Sequence, residues 1–376
     1  MKPFIPPFCG SPECRHHARE GKEPYSQFVA WGSYSTKAFG KVLRFRCTCC
    51  GTTFSVQTFK PDYYVKRVIS YENIARRLSS GESLSAIGRA TGASTDTISN
   101  RISRAARQAL AFESGQASTR HPQEDLAADG FESFCRSQYF PNNITILVGS
   151  SSQFVYAADH ATLRRKGRMT DAQKVRRKEL ERFFRPDPKG VERTFARVAR
   201  ESLRVLSDGG RPALTLWTDE HQAYPRAIEK SPCLCALRDQ GRLVHRTISS
   251  RAARTWDNPL FPVNYIDREL RKDLHEHVRE TVCFGRNANC QMERLSLYLW
   301  WHNYRKPHRT RGDSRSHAVV AGHDPASIRT ALASIWKRRA WLSLTSLAEP
   351  MLDTWLRSRR SPLRLVRDYL PSFAFS

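Results

Sequence analysis

No uninterrupted apolar run of about 18 residues occurs in this 376-residue chain, so the sequence offers no membrane-spanning helix. The first residues, with Pro3, Pro6 and Pro7 among them, lack the apolar core of a secretory signal, which sets the expectation of a cytoplasmic protein. Internal repeats and low-complexity blocks are missing too, which argues against a solenoid or a fibrous array. Acidic residues are scarce: 36 Asp and Glu face 62 Lys and Arg, a formal net charge of +26. That excess implies a polyanionic partner, with nucleic acid as the default. Without an export signal, the ten cysteines read as metal ligands and buried thiols rather than disulfides. An apolar content of 40% suffices for real cores, and the length predicts two or three domains.

The cysteines near the start are paired. Cys9 and Cys14 enclose four residues, and Cys47 and Cys50 enclose two. Each short pair can present two thiolates from one turn, and tetrahedral zinc takes four. Gly10, Pro12 and Gly51 stand where tight turns are needed. Cys49 is an alternative to either member of the second pair. The runs from Phe28 and from Lys41 partly alternate, as ribbon strands do. Residues 1–60 are therefore expected to form a zinc ribbon.

Residues 66–112 read as a helix-turn-helix. One helix spans Tyr71 to Leu78. Ser83 caps a second from Leu84, Gly92 turns the chain, and Ser94 caps a third from Thr95 to Arg107. Ile74, Leu78, Leu84, Ile87, Ile98 and Ile102 supply its core. The third helix is expected to expose Thr95, Asp96, Ser99, Asn100, Arg101 and Arg104. Of these, Thr95, Ser99, Asn100, Arg101 and Arg104 are the residue types that hold phosphates and read base edges. The polar, breaker-rich residues 113–124 read as a linker.

Beyond it, Leu126 to Cys135, Ile144 to Gly149 and Phe154 to Asp159 predict three strands. A helix from Lys189 to Leu206 and a strand from Ala213 to Thr218 follow, so residues 125–310 are expected to form a mixed sheet flanked by helices. Residues 229–257 show no strong periodicity. The run from Arg164, Arg165 and Lys166 through Arg182 is dense in positive charge and suits the DNA backbone. Cys233, Cys235, Cys283 and Cys290 are poorly spaced for a metal and read as buried thiols. The basic residues 311–376 are expected to be helical, with a helix from Ile328 to Leu344. Trp336, Trp341 and Trp355 should pack against the core or a second subunit.

Ile266, Leu270 and Leu274 recur at helical spacing, and the triplet Ile266-Asp267-Arg268 sits among them with Arg271 beyond. A run from Arg279 to Asn287 follows, containing Cys283, Phe284 and Gly285. Together these resemble the third-acid region of small bacterial insertion-sequence DDE transposases, in particular insertion-sequence family one. In that family an Ile-Glu-Arg triplet carries the third catalytic acid; here Asp267 stands in place of Glu, one methylene shorter. The run from Arg46 to Ser55 resembles the second knuckle of zinc ribbons found at transposase N-termini. Trp217 through Tyr224 resembles the family's second-acid turn, and His302-Asn303-Tyr304 resembles its tail.

The resemblance implies an RNase-H-like catalytic domain. Its first acid would be Asp129 on the first strand, its second Asp219 after the fourth, and its third Asp267 on a later helix. Asp125 and Asp159 are rival first acids, and Glu269 a rival third. Three such carboxylates would hold Mg²⁺ or Mn²⁺, since a pair of hard ions about 3.5–4 Å apart drives in-line phosphoryl displacement. Arg271, His221 and His277 are possible supports. The implied protein is a multi-domain α/β transposase that binds double-stranded DNA at its element's ends and works as a homo-oligomer at the nucleoid. Two other readings stay open: a non-catalytic DNA-binding regulator derived from such an element, and a zinc-ribbon adaptor of RNA metabolism.

Overall fold

The structure is a computed structural model and describes residues 4–17, 27–278, 281, 283–309, 311–362 and 370–376. Arg279, Glu280 and Val282 of the run after the third acid lie outside the described residues.

A small antiparallel sheet comes first, formed by β1 (Phe28–Thr36), β2 (Gly40–Cys47) and β3 (Thr53–Ser55) in that order. It is too small to bury much. Its core is Phe28, Phe54 and Phe59 packed around the cysteines.

Three helices follow: α1 (Tyr71–Leu78), α2 (Leu84–Thr91) and α3 (Thr95–Gln116). The hydroxyls of Ser70, Ser83 and Ser94 accept from the backbone N–H of Asn73, Ala86 and Thr97. Each such cap contributes about 1 kcal/mol. Gly92 ends α2 at φ +63, a left-handed conformation that side chains resist. Ile74, Leu78, Ile87, Ile98 and Ile102 are buried between the helices as expected, with Leu84 partly buried beside them.

The third helix does not stop near Arg107. It runs to Gln116 because Ala105, Ala109 and Phe112 continue its buried stripe. Burial there outweighs the cost of about 1 kcal/mol that Gly115 imposes inside a helix. Residues 113–124 are consequently no free linker. Arg120 bridges Glu201 at 2.6 Å and Asp208 at 2.7 Å, and buried Glu124 accepts from Tyr156 Oη and the Ser151 and Ser152 backbone.

The central sheet has five strands: β4 (Leu126–Cys135), β5 (Ser137–Gly149), β6 (Val155–Thr162), β7 (Leu214–Thr218) and β8 (Leu243–Thr247), ordered β6-β5-β4-β7-β8. The first three form an antiparallel meander; β7 joins β4 in parallel and β8 joins β7 in parallel. Strand β8 and the helix before it lie in the region without strong periodicity, because elements of five and eight residues hold too few repeats to show one.

The basic helix α4 (Asp171–Glu181) leads to α5 (Gly190–Ala199) and α6 (Glu201–Gly209), two helices where one was expected. Next come α7 (Ala223–Lys230), α8 (Pro232–Asp239), α9 (Phe261–Asp273) and α10 (Ala288–Tyr304). Thr145 of β5 meets Thr194 of α5 at 3.1 Å, while Asn142 of β5 donates to Gln291 of α10 at 3.3 Å. Strand alternation puts those positions on opposite faces, so helices cover both sides. The result is a mixed α/β fold whose sheet is sandwiched by helices, with a cysteine cluster at its N-terminal end.

The remaining helices, α11 (His317–Val320), α12 (Pro325–Ser334) and α13 (Glu349–Trp355), are shorter than expected. The chain leaves helical geometry after Ser334, and its tryptophans reach different neighbours. Trp336 stacks on Tyr71 at 5.4 Å, Trp341 meets Phe8 at 5.4 Å, and fully buried Trp355 donates its indole N–H to Ala374 O. Trp336 and Trp341 thus tie the helices and the cysteine module together.

Candidate functional site

Two constellations have the composition of metal sites. In the first, one sulfur from each of Cys9, Cys14, Cys47 and Cys50 lies within 4.8 Å of the others. The Cys9–Cys50 and Cys14–Cys47 sulfurs are 3.6 and 3.8 Å apart. A tetrahedron with Zn–S bonds of about 2.3 Å has edges of about 3.8 Å, so the four thiols fit a metal such as zinc. Gly51, at φ +73, makes the turn that returns the second pair. Burial pushes the Cys14 thiol up to about 11; at Cys50 burial is the largest single effect, but hydrogen bonding with Thr52, Cys9 and Cys14 together outweighs it and brings the thiol down to about 6. Cys49 is exposed and groups with Cys14 and His16 instead.

The second constellation is acidic. Strands β4 and β7 pair in parallel through Leu126 with Leu216 and Ala127 with Trp217. Asp129 lies two residues past the last paired position of β4, and Asp219 directly follows the end of β7, close enough for its carboxylate to act on Asp129. Their mutual repulsion is felt: burial, and then the Asp219 carboxylate, push Asp129 up to about 6. Asp219 accepts from the His221 backbone N–H at 2.9 Å, which fixes the turn after β7. Tyr224, one helical turn on, donates its hydroxyl to Asp129 Oδ1 at 3.3 Å.

Asp267 enters the same place from α9. With Asp129 it lines a cleft of about 600 Å³ whose other walls include Arg254, Phe261, Tyr265, Arg268 and Arg271. Its Oδ1 is buried and has no hydrogen-bond partner among the described residues. Burial, reinforced by Asp129, pushes its carboxyl well above the usual range, and Arg271 and Arg254 oppose the shift. A buried acid in that condition is costly unless a cation joins it. The carboxylates therefore fit a hard divalent ion chemically, although they do not close into a group with all oxygens within 4.8 Å, as the cysteines do.

The rival acids have other employment. Asp159 is fully buried between Arg197, at 2.8 Å, and Arg359. Asp125 accepts from Arg211 and from the Thr215 N–H, both at 3.0 Å. Glu269 is clamped by Lys272 at 2.9 Å and by Lys306. Ion-paired acids of this kind hold the fold; Asp129 and Asp267 instead face one cleft, with Asp219 acting on Asp129. His277 is wholly buried and pushed down to about 4 by burial, edge-on to Phe131, and His221 is exposed beside Asp219.

Compared with known protein families and with curated proteins, the chain finds no match.

The expected DNA-facing residues divide. Thr95 and Asn100 are exposed on the first turns of α3 and Ser99 is half-buried. Arg101 is not on the outer face: it is 4% exposed, and its guanidinium donates to Arg67 O at 2.8 Å. Arg104 is half-buried and donates to Pro61 O at 2.9 Å and to Tyr63 O. The phase of Ile98 and Ile102 explains both, since a stripe broad enough to pack two neighbours turns the adjacent positions inward. Arg164 is exposed but paired with Glu181 at 2.6 Å, Arg165 lies over Tyr139, and Lys166 is exposed. Tyr224 and Arg254 carry roles that sequence reasoning did not assign. Tyr224 was visible inside the second-acid turn; Arg254, in an unpatterned loop, gave no signal.

Among the described residues, no helix is long and apolar enough to cross a membrane.

Proposed function

We propose that the chain is a DNA transposase of the DDE/D type, which binds the ends of its element and carries out metal-dependent strand cleavage and strand transfer. The observation that carries this reading is that Asp129 and Asp267 share one cleft rimmed by Arg254, Arg268 and Arg271, with the Asp219 carboxylate near enough to act on Asp129. The acids' places along the chain, on the first strand of the sheet, just after its fourth and on a later helix, support it, since they are the places the RNase-H-like resemblance implies. The first turns of α3, with Thr95 and Asn100 outermost, supply a surface for duplex DNA, and four cysteines suit structural zinc.

Within this reading each side chain has a task. Asp129, Asp219 and Asp267 would hold Mg²⁺ or Mn²⁺, which when bound supplies Lewis-acid activation of the attacking and leaving oxygens. Tyr224 orients Asp129 through its hydroxyl. Arg254, Arg268 and Arg271 receive phosphate oxygens, and Arg271, spread over the Phe131 ring at 5.8 Å, is steadied for that contact. Two DNA ends must be brought together, so the working form is at least a dimer.

The test is nicking and strand transfer on DNA carrying the flanks of the chain's own gene, with Mg²⁺ or Mn²⁺, comparing wild type with Asp219→Ala and Asp267→Ala. Cation-dependent cutting lost in both variants is the expected result. Salt-sensitive binding with no cutting under any divalent ion would replace it with a DNA-binding regulator.

A further inference from the structure

The loop between β8 and α9 is polar and outward-facing, yet it ends in an aromatic ladder. Trp256 is 74% exposed. It stacks on Phe261 with ring centroids 4.2 Å apart and planes 28° apart, and Phe261 continues to Tyr265 at 6.4 Å and 26°. Phe261 and Tyr265 are walls of the acidic cleft, so the ladder starts at the acids and ends at an open ring face.

The loop is built to hold that ring out. Asn258, its buried member at 9% exposure, donates its side-chain amide to Ala253 O at 2.8 Å. Its carbonyl oxygen Oδ1 accepts from the Leu260 N–H at 2.9 Å, and its backbone accepts from the Phe261 N–H. Such a set fixes the turn without burying Trp256. Around the ladder the charge is positive: Arg254 precedes Trp256 by two residues, and Arg268 lies over Tyr265 at 5.3 Å.

We infer that Trp256 is a stacking platform for an unpaired nucleobase of the strand whose phosphates enter the acidic cleft. An aromatic face beside guanidinium groups is the pairing that holds unstacked bases, because every base has a π-face while the cations follow the backbone. A protein partner would be expected to need a broader apolar patch than this single ring. The ladder's direction sets the geometry: a base on Trp256 belongs to a nucleotide near the one at the acids, so the strand must part from its complement there. The inference rests on reading the cleft as a nucleic-acid site.

The experiment uses the full chain and a fluorescent oligothymidylate, with the matching duplex as second probe, followed by anisotropy and by quenching of tryptophan emission. Trp256→Ala should weaken single-strand binding about tenfold, Trp256→Phe should keep most of it, and neither should alter duplex binding. Both variants should lose the quenching. Equal single-strand affinity in wild type and Trp256→Ala would overturn the platform while leaving the cleft's reading intact. Wild type that binds neither probe would overturn both. Since Trp256 is exposed, an unchanged thermal midpoint checks that the variants fold.

Discussion

The cysteine cluster and the acidic cleft both gather ligands from distant parts of the chain, but they are finished to different degrees. The four sulfurs already lie on the edges of a zinc-sized tetrahedron, held by short turns and a few aromatic rings. Asp129 and Asp267 share a cleft but stand apart, both shifted towards the neutral form, first by burial and then by a neighbouring carboxylate, Asp219 for Asp129 and Asp129 for Asp267. A closed structural site exists to fold its surroundings. An open, electrostatically strained one stores the mismatch that a cation and a substrate relieve.

Removing a sulfur should have the largest effect. Cys47→Ser, or a strong chelator, is expected to unfold residues 1–60, because zinc binding in small modules is worth on the order of 10 kcal/mol; circular dichroism and zinc release would follow it. A cysteine variant that melts like wild type would make the cluster incidental. Asp219→Ala should remove cutting by a factor of about a thousand or more without lowering the melting midpoint in the absence of divalent ions. A large loss of stability would instead make that acid a structural cap.

The sign of the pH response sharpens the contrast. Folded Asp129 takes up its proton near pH 6, whereas the reference carboxyl does so at 3.8. The folded state therefore binds the extra proton first, and this group's penalty, present at neutral pH, disappears as pH falls through that window. Asp129→Asn should be more stable than wild type at neutral pH by about 3 kcal/mol, a gap that closes near pH 4 and that Mg²⁺ narrows. Urea melts at several pH values would show it, and a gap independent of pH would contradict the shared-charge picture. The smallest effect belongs to the exposed basic loop: Lys166→Ala should reduce the salt slope of DNA binding by about one, measured by titration at several ionic strengths.

Much of this was readable in advance where chemistry is local. Ser83, Ser94 and Gly92 announce their helix boundaries because caps and turns are decided by neighbours. The cysteine pairs announce themselves by spacing. Strand β4 was legible from Leu126 to Cys135 through Leu126, Phe131, Phe134 and Cys135, although Asp129 and Gly130 in its middle are poor strand formers. The inward turn of Arg101 was not, because it depends on what packs beside Ile98 and Ile102. Nor was the continuation of α3 past Arg107: Ser114, Gly115 and Gln116 look like breakers until α10 is known to lie against Phe112. Arg254 and the exposure of Trp256 belong to a loop whose shape is set by the hydrogen bonds of buried Asn258.

The length of α3 has one more consequence. Its 22 residues span about 33 Å at 1.5 Å each. Its first turns face outward, while its later turns are bolted to α10 by Arg107, which donates to Glu293 at 2.9 Å. On the proposed transposase reading, the helix is a ruler with one end on the recognised sequence and the other on the frame that carries the acids, so the distance from reading to cutting would be set in protein rather than searched for along the DNA.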